Sequence, residues 1–146
     1  MSDNDYKIGF TFSRSIENVR KFAIIGRKII ESFWPQANNF AFEVELSLVE
    51  ALSNVLFHTV QNNSQNTISY QIKISSSKLV VRVFDQGEGF CLSNYFAQKK
   101  NLYQTNGRGL QLINGFMDDL KYIRGRNRNE LVFEKALLFL ESESVI

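Results

Sequence analysis

The sequence predicts an α+β two-layer sandwich, a mixed β-sheet with its helices packed on one face. Three observations carry this. Apolar residues alternate with period two around Ile8 and again from Ile68 to Ile74. They recur at three- and four-residue steps over 16–33 and crowd the segment 40–60. The resulting order, β-α-α-β-β-loop-α-β-β, leaves the helices to cover one side of a sheet. At 146 residues, 44% hydrophobic and 13% aromatic, the chain is expected to form a single domain over residues 1–146. Pro35 is the only proline, and no Gly/Ser-rich or Pro-rich stretch reads as a linker.

Ile8, Phe10 and Phe12 alternate with Lys7, Gly9 and Thr11, which predicts a short strand with one buried face. Ser15 can cap the helix that follows, whose apolar positions run from Ile16 and Val19 to Phe33 and stop at Trp34-Pro35. The next helix, about Phe40 to Val60, is apolar around most of its circumference and must be largely buried. Thr67 to Ser75 and Leu79 to Phe84 read as a hairpin turned by Ser75-Ser76-Ser77-Lys78. A polar stretch from Leu92 to Asn106 has no clear period and reads as a flap between fixed elements. An apolar helix, Leu110 to Met117, precedes two closing strands, Leu120 to Arg124 and Leu131 to Lys135, and a frayed tail, Glu141 to Ile146.

Composition removes several function classes. With 17 Lys+Arg against 15 Asp+Glu, the net charge of +2 does not suggest a nucleic-acid binder. The basic cluster Lys121, Arg124, Arg126 and Arg128 lacks interleaved aromatic platforms and reads as a solvated hairpin. One cysteine, Cys91, and one histidine, His58, exclude an internal disulfide and the Cys- and paired-His metal motifs. No apolar run approaches the ~18 residues that span a bilayer, and the start, Met1-Ser2-Asp3-Asn4-Asp5, is polar and acidic. A cytoplasmic protein with no membrane and no direct nucleic-acid partner is expected.

Three constellations can carry chemistry. Glu43, Ser47, Glu50, Asn54 and His58 fall at steps of four, three, four and four, one polar stripe along a buried helix. Either the stripe faces solvent, or it lines a wet cleft. In a cleft, the oxygens of Glu50 and Asn54 suit Mg²⁺ brought in by phosphates, or Glu50 serves as a general base. His58 reads first as a helix-end residue with a structural hydrogen bond. Asp85-Gln86-Gly87-Glu88-Gly89 follows an apolar strand, and alternation puts Asp85 on its core face, where a carboxylate needs a donor. The amine of an adenine is one such donor; an ordinary Asp-Gly turn is the plainer reading. Gly107-Arg108-Gly109-Leu110 opens a helix, either as a flexible entry or as a site where phosphate meets free amide N–H groups beside a cation. No P-loop and no Rossmann glycine fingerprint is present.

In order along the chain, Glu50-x-x-x-Asn54-x-x-x-His58, Asp85-x-Gly87-x-Gly89 and Gly107-x-Gly109-Leu110-x-Leu112 resemble the N, G1 and G2 boxes of the histidine-kinase-like ATPase (GHKL) superfamily, which has the Bergerat fold. The small size, the strand and helix before the first box, the short flap and the Gly107-Arg108-Gly109-Leu110…Ile113…Phe116-Met117-Asp118-Asp119 stretch look like the anti-sigma factor serine/threonine kinases. The resemblance covers about residues 6 to 137.

That resemblance implies ATP and Mg²⁺ as cofactors. Asn54 would coordinate the metal on the triphosphate, Glu50 would accept a proton from the attacking hydroxyl, and Asp85 would bind the adenine amine. Gly87 and Gly89 would shape the adenine pocket, while Gly107, Arg108, Gly109 and Leu110 would close on the phosphates. It implies phosphorylation of an anti-sigma factor antagonist, binding of a sigma factor, and a homodimer. Gln111 stands where a third G2 glycine is common, Thr59-Val60 replaces a small-then-aromatic pair, and the flap is poor in glycine. These departures motivate an alternative, a nucleotide-dependent protein-binding module without kinase activity. A detached sensor-kinase catalytic domain is a third reading. Lys99 and Lys100 read as a solvated pair and Cys91 as a pocket-wall residue.

Overall fold

A computed structural model describes residues 5–58, 66–86 and 108–136. Strand β1 spans Tyr6–Ser13 and leads directly into helix α1, Ile16–Phe33. The helix begins where the sequence predicts, because the Ser15 hydroxyl accepts the Asn18 N–H at 3.0 Å and satisfies one of the first-turn donors. It ends at Trp34, whose backbone N–H still bonds Ile30, just before the ring of Pro35 removes the next donor. Helix α2, Asn38–His58, returns alongside α1, and Arg14 ties the two ends by donating to the carbonyls of Val55 and Leu56.

Strands β2, Thr67–Ile74, and β3, Lys78–Asp85, form the expected hairpin; helix α3, Arg108–Phe116, and strands β4, Asp119–Ile123, and β5, Asn129–Ala136, complete the described chain. The sheet order is β1-β2-β3-β5-β4. All four pairings are antiparallel, so the mixed sheet expected from the element order is corrected to an antiparallel one. The physical reason lies in the last two strands. They form a hairpin that docks by its second member: β5 pairs with β3 and leaves β4 at the edge, so the helical crossover after β3 ends on an outer strand and no parallel neighbours arise.

The α+β two-layer arrangement itself is as the sequence predicts. Phe12, Ile68, Tyr70, Ile72, Val81, Val83, Leu131 and Phe133 share one sheet face and form one core with Val19, Ile30, Phe40, Leu48, Leu52 and Ile113 from the helices. Burying each of the larger side chains contributes about 1.5–3 kcal/mol. Gly26 allows α1 to approach closely, with Leu48 and the Tyr70 hydroxyl directly over its α carbon. The opposite sheet face carries ion pairs: Glu134 takes Lys78 and Lys121, and Glu130 takes Arg82 and Arg128. Arg128 also lies 4.0 Å over the Phe84 ring, so Lys121 and Arg128 of the basic hairpin are held within the fold.

Candidate functional site

Helix α2 sets one side of the site. Its outward face is apolar rather than polar: Phe42 and Phe57 are 50% and 66% exposed. The polar stripe is therefore turned inward. Ser47 is fully buried and its Oγ has no hydrogen-bond partner among the described residues, while Glu43, Glu50 and Asn54 are half-buried. The reading of the stripe as a solvent-facing strip is thus corrected, because α3 packs against α2 and covers part of it. Neither Glu50 nor Asn54 makes a side-chain hydrogen bond or ion pair among the described residues. Two half-buried polar side chains one turn apart, with no side-chain partner among the described residues, are placed to meet a ligand.

Helix α3 brings the second element. Leu110 and Ile113 are buried in the core and anchor it, which presses its first turn onto α2. A Cβ on Gly109 would lie 2.6 Å from Glu50 Oε2 and 3.2 Å from Glu50 Cβ. A side chain at this position would have to displace the Glu50 carboxylate and press on its Cβ. The first-turn N–H groups of α3 have no intrahelical acceptor and carry the positive end of the helix dipole, so a negative group is stabilised there.

Asp85, the last residue of β3, carries the third element. As alternation predicts, it shares the core face with Val81 and Val83. Its carboxylate is held from two strands: Tyr122 Oη donates to Oδ2 at 2.8 Å and Asn129 Nδ2 donates to Oδ1 at 2.9 Å. Asn129 sits directly opposite Asp85 in the β3–β5 register and is only 4% exposed. Its own Oδ1 accepts the Gly125 N–H at 3.3 Å, which anchors the amide to the β4–β5 turn. Burial, then the hydrogen bond to Asp85 and its charge, push the Tyr122 hydroxyl well above the ordinary tyrosine value.

The sequence reading did not single out Tyr122 or Asn129. It began the last strand at Leu131, two residues late, and so lost the register position opposite Asp85. The available signal was the period-two alternation itself, which puts Asn129 on the face of Leu131 and Phe133, and Tyr122 on that of Leu120. Gly87, Gly89, Gly107, the side chains of Arg108 and His58, Cys91 and the 92–106 flap lie outside the described residues.

The site can be compared with known proteins. No curated protein matches the sequence. Among solved structures, the chain is similar to the histidine kinase domain of the Erythrobacter litoralis EL346 blue-light activated histidine kinase, with 17% identity and a TM-score of 0.56. The match covers 86% of this chain, which spans 64% of that one. At that identity the likeness shows the fold. The sequence also matches the histidine kinase-like ATPase domain family over residues 12–135, from the core residue Phe12 to the end of β5 and through all three constellations. On that match, the chain belongs to the histidine kinase-like ATPase domain family.

Proposed function

We propose that this chain binds ATP with Mg²⁺ and transfers the γ-phosphoryl group to a serine or threonine of a protein partner, as an anti-sigma factor kinase of the partner-switching type. Family membership makes it a nucleotide-binding, kinase-like module; the acceptor and the regulatory role are our reading. The observation that supports it most directly is the contact of Gly109 with Glu50, which puts a carboxylate with no side-chain partner among the described residues at the amino end of α3.

The residues fit the group. Bound at this site, Mg-ATP supplies the phosphoryl group and the charge neutralisation that transfer requires. A phosphate at the N–H groups that open α3 would need a cation to offset its charge. The Asn54 carboxamide oxygen, one turn from Glu50, is the hard ligand available for that cation. Glu50 would take the proton of the incoming hydroxyl, and Asp85 would accept the exocyclic amine of the adenine. Phosphoryl transfer depends chiefly on positioning and charge, which groups held on rigid elements supply.

Calorimetric titration with ATP and ADP, with and without Mg²⁺, tests the reading. Micromolar or tighter binding that needs Mg²⁺ and weakens in Asp85→Asn is expected. Absence of binding to either nucleotide would sink it. A second reading, a nucleotide-dependent binding module without transfer, is favoured by Gln111 at the third glycine position of the last box. Tight nucleotide binding with no transfer to any protein acceptor, but nucleotide-dependent partner binding, would select it. A sigma factor, its antagonist and a homodimer belong to the proposal as the expected partners.

A further inference from the structure

We propose that Tyr122 is a positioning residue that sets the base selectivity of this site: its hydroxyl, together with the Asn129 amide, holds the Asp85 carboxylate in one plane as an acceptor for a 6-aminopurine and against a 6-oxopurine. The inference rests on the reading of Asp85 as the adenine contact. Tyr122 lies in the edge strand β4, and its bond to Asp85 in β3 crosses the whole of β5. A half-buried phenol that reaches over a neighbouring strand does so for a specific partner rather than for solvent. The χ2 torsion of an aspartate is otherwise broad and roughly two-fold. Here each carboxylate oxygen accepts its own donor, Oδ2 from Tyr122 at 2.8 Å and Oδ1 from Asn129 at 2.9 Å, and the two bonds together define the plane. The asparagine is itself anchored by the Gly125 N–H. The phenol stays protonated, and therefore a donor, because burial and Asp85 both oppose its ionisation.

The chemical consequence is discrimination at purine position 6. An amine there donates to a fixed carboxylate oxygen, whereas an oxo group sets acceptor against charged acceptor and gains no hydrogen bond at that position. Without the Tyr122 hydroxyl, the carboxylate gains a rotation. It can then turn aside, and a bridging water can mediate contact with an oxo group. Affinity for the amino base falls and that for the oxo base is kept.

The test is calorimetry of ADP and inosine diphosphate, both with Mg²⁺, on the natural chain, Tyr122→Phe and Asp85→Asn, with circular dichroism to check the fold. The natural chain is expected to prefer ADP. Tyr122→Phe should weaken ADP about 10-fold, the scale of one hydrogen bond to a charged group, and shrink the ADP-to-inosine-diphosphate ratio by a similar factor. A merely structural loss would lower both affinities and leave the ratio unchanged, and that result would overturn the proposal. Should the variant fold poorly, 3-fluorotyrosine incorporated in place of tyrosine gives a second reading. Its hydroxyl is the stronger donor, so the ratio should be held or raised, and a fall counts against the proposal. If Asp85→Asn collapses the preference while Tyr122→Phe keeps it, Tyr122 has no such role but the adenine reading stands. If Asp85→Asn leaves the preference intact, or the natural chain binds neither nucleotide, the adenine reading fails and takes the proposal with it.

Discussion

Gly109, at the start of α3, faces Glu50 of α2 so closely that a methyl group on its α carbon would lie 2.6 Å from the carboxylate oxygen Oε2. The two residues are 59 positions apart, and their contact joins the first polar constellation to the last. Gly109→Ala should therefore push the carboxylate out of place. The nearest atom is the end of a flexible side chain, so the stability cost is small and is offset in part by alanine's higher helix propensity, about 1 kcal/mol over glycine. The expected outcome is a melting temperature within a few degrees of the natural protein, with phosphoryl transfer lowered at least about 10-fold. Paired thermal melts and transfer assays check it.

Glu50→Gln keeps the shape of the side chain and removes its basicity. Transfer to a protein hydroxyl should fall by about 10² to 10⁴, the usual weight of a general base. Mg-ADP affinity should change by less than about threefold, since loss of a proton acceptor removes a transition-state interaction. Unaltered transfer would remove Glu50 from the role of base.

Gly26→Ala probes the core rather than the site. The added carbon would meet Leu48 Cδ1 at 2.5 Å and Tyr70 Oη at 3.2 Å. Overpacking of this kind costs about 1–3 kcal/mol, of which alanine's helix propensity offsets up to about 1 kcal/mol; the net loss lowers the melting temperature by roughly 2–4 °C per kcal/mol at this size. Denaturant titration should show a lower midpoint at an unchanged slope.

Alkaline pH should destabilise the fold through two tyrosines. Burial raises the Tyr70 hydroxyl above its ordinary value of 10.0, and burial with Asp85 raises Tyr122 likewise. In both, the folded state holds the proton more tightly than the unfolded chain. Their contribution is therefore complete below pH 10 and is lost as the pH climbs through the folded-state values. Melting temperature should fall with increasing steepness above pH 10. Tyr70→Phe should lessen that slope by up to about 1.4 kcal/mol per pH unit. An equally steep decline in the variant would exclude Tyr70 as a source.

Much of the fold was legible along the chain because local patterns dictate it. Ser15 reads as a cap because a hydroxyl before a periodic apolar run can take a first-turn N–H, and it takes that of Asn18. The alternation of Ile68, Tyr70, Ile72 and Ile74 specified the core face of β2, and the odd-numbered apolar positions of β3 specified that of Asp85. The polar stripe of α2 was visible as a spacing. Which way it turned was not, since Phe42 and Phe57 look like core residues and lie exposed.

By itself, then, the sequence determined the elements, their caps and which residues share a face. Those are consequences of dihedral preference and of periods of two and 3.6 residues, which operate over a few neighbours. Tertiary structure alone decided that β5 enters beside β3 and sends β4 to the edge, that Gly109 lies on Glu50, and that Tyr122 and Asn129 converge on Asp85. Each of these contacts joins residues 37 to 59 positions apart. No local rule reaches that far. Such partners are selected when α2 and the sheet bury one common core, and the polar groups carried along must then find donors and acceptors among whatever that burial has brought within reach.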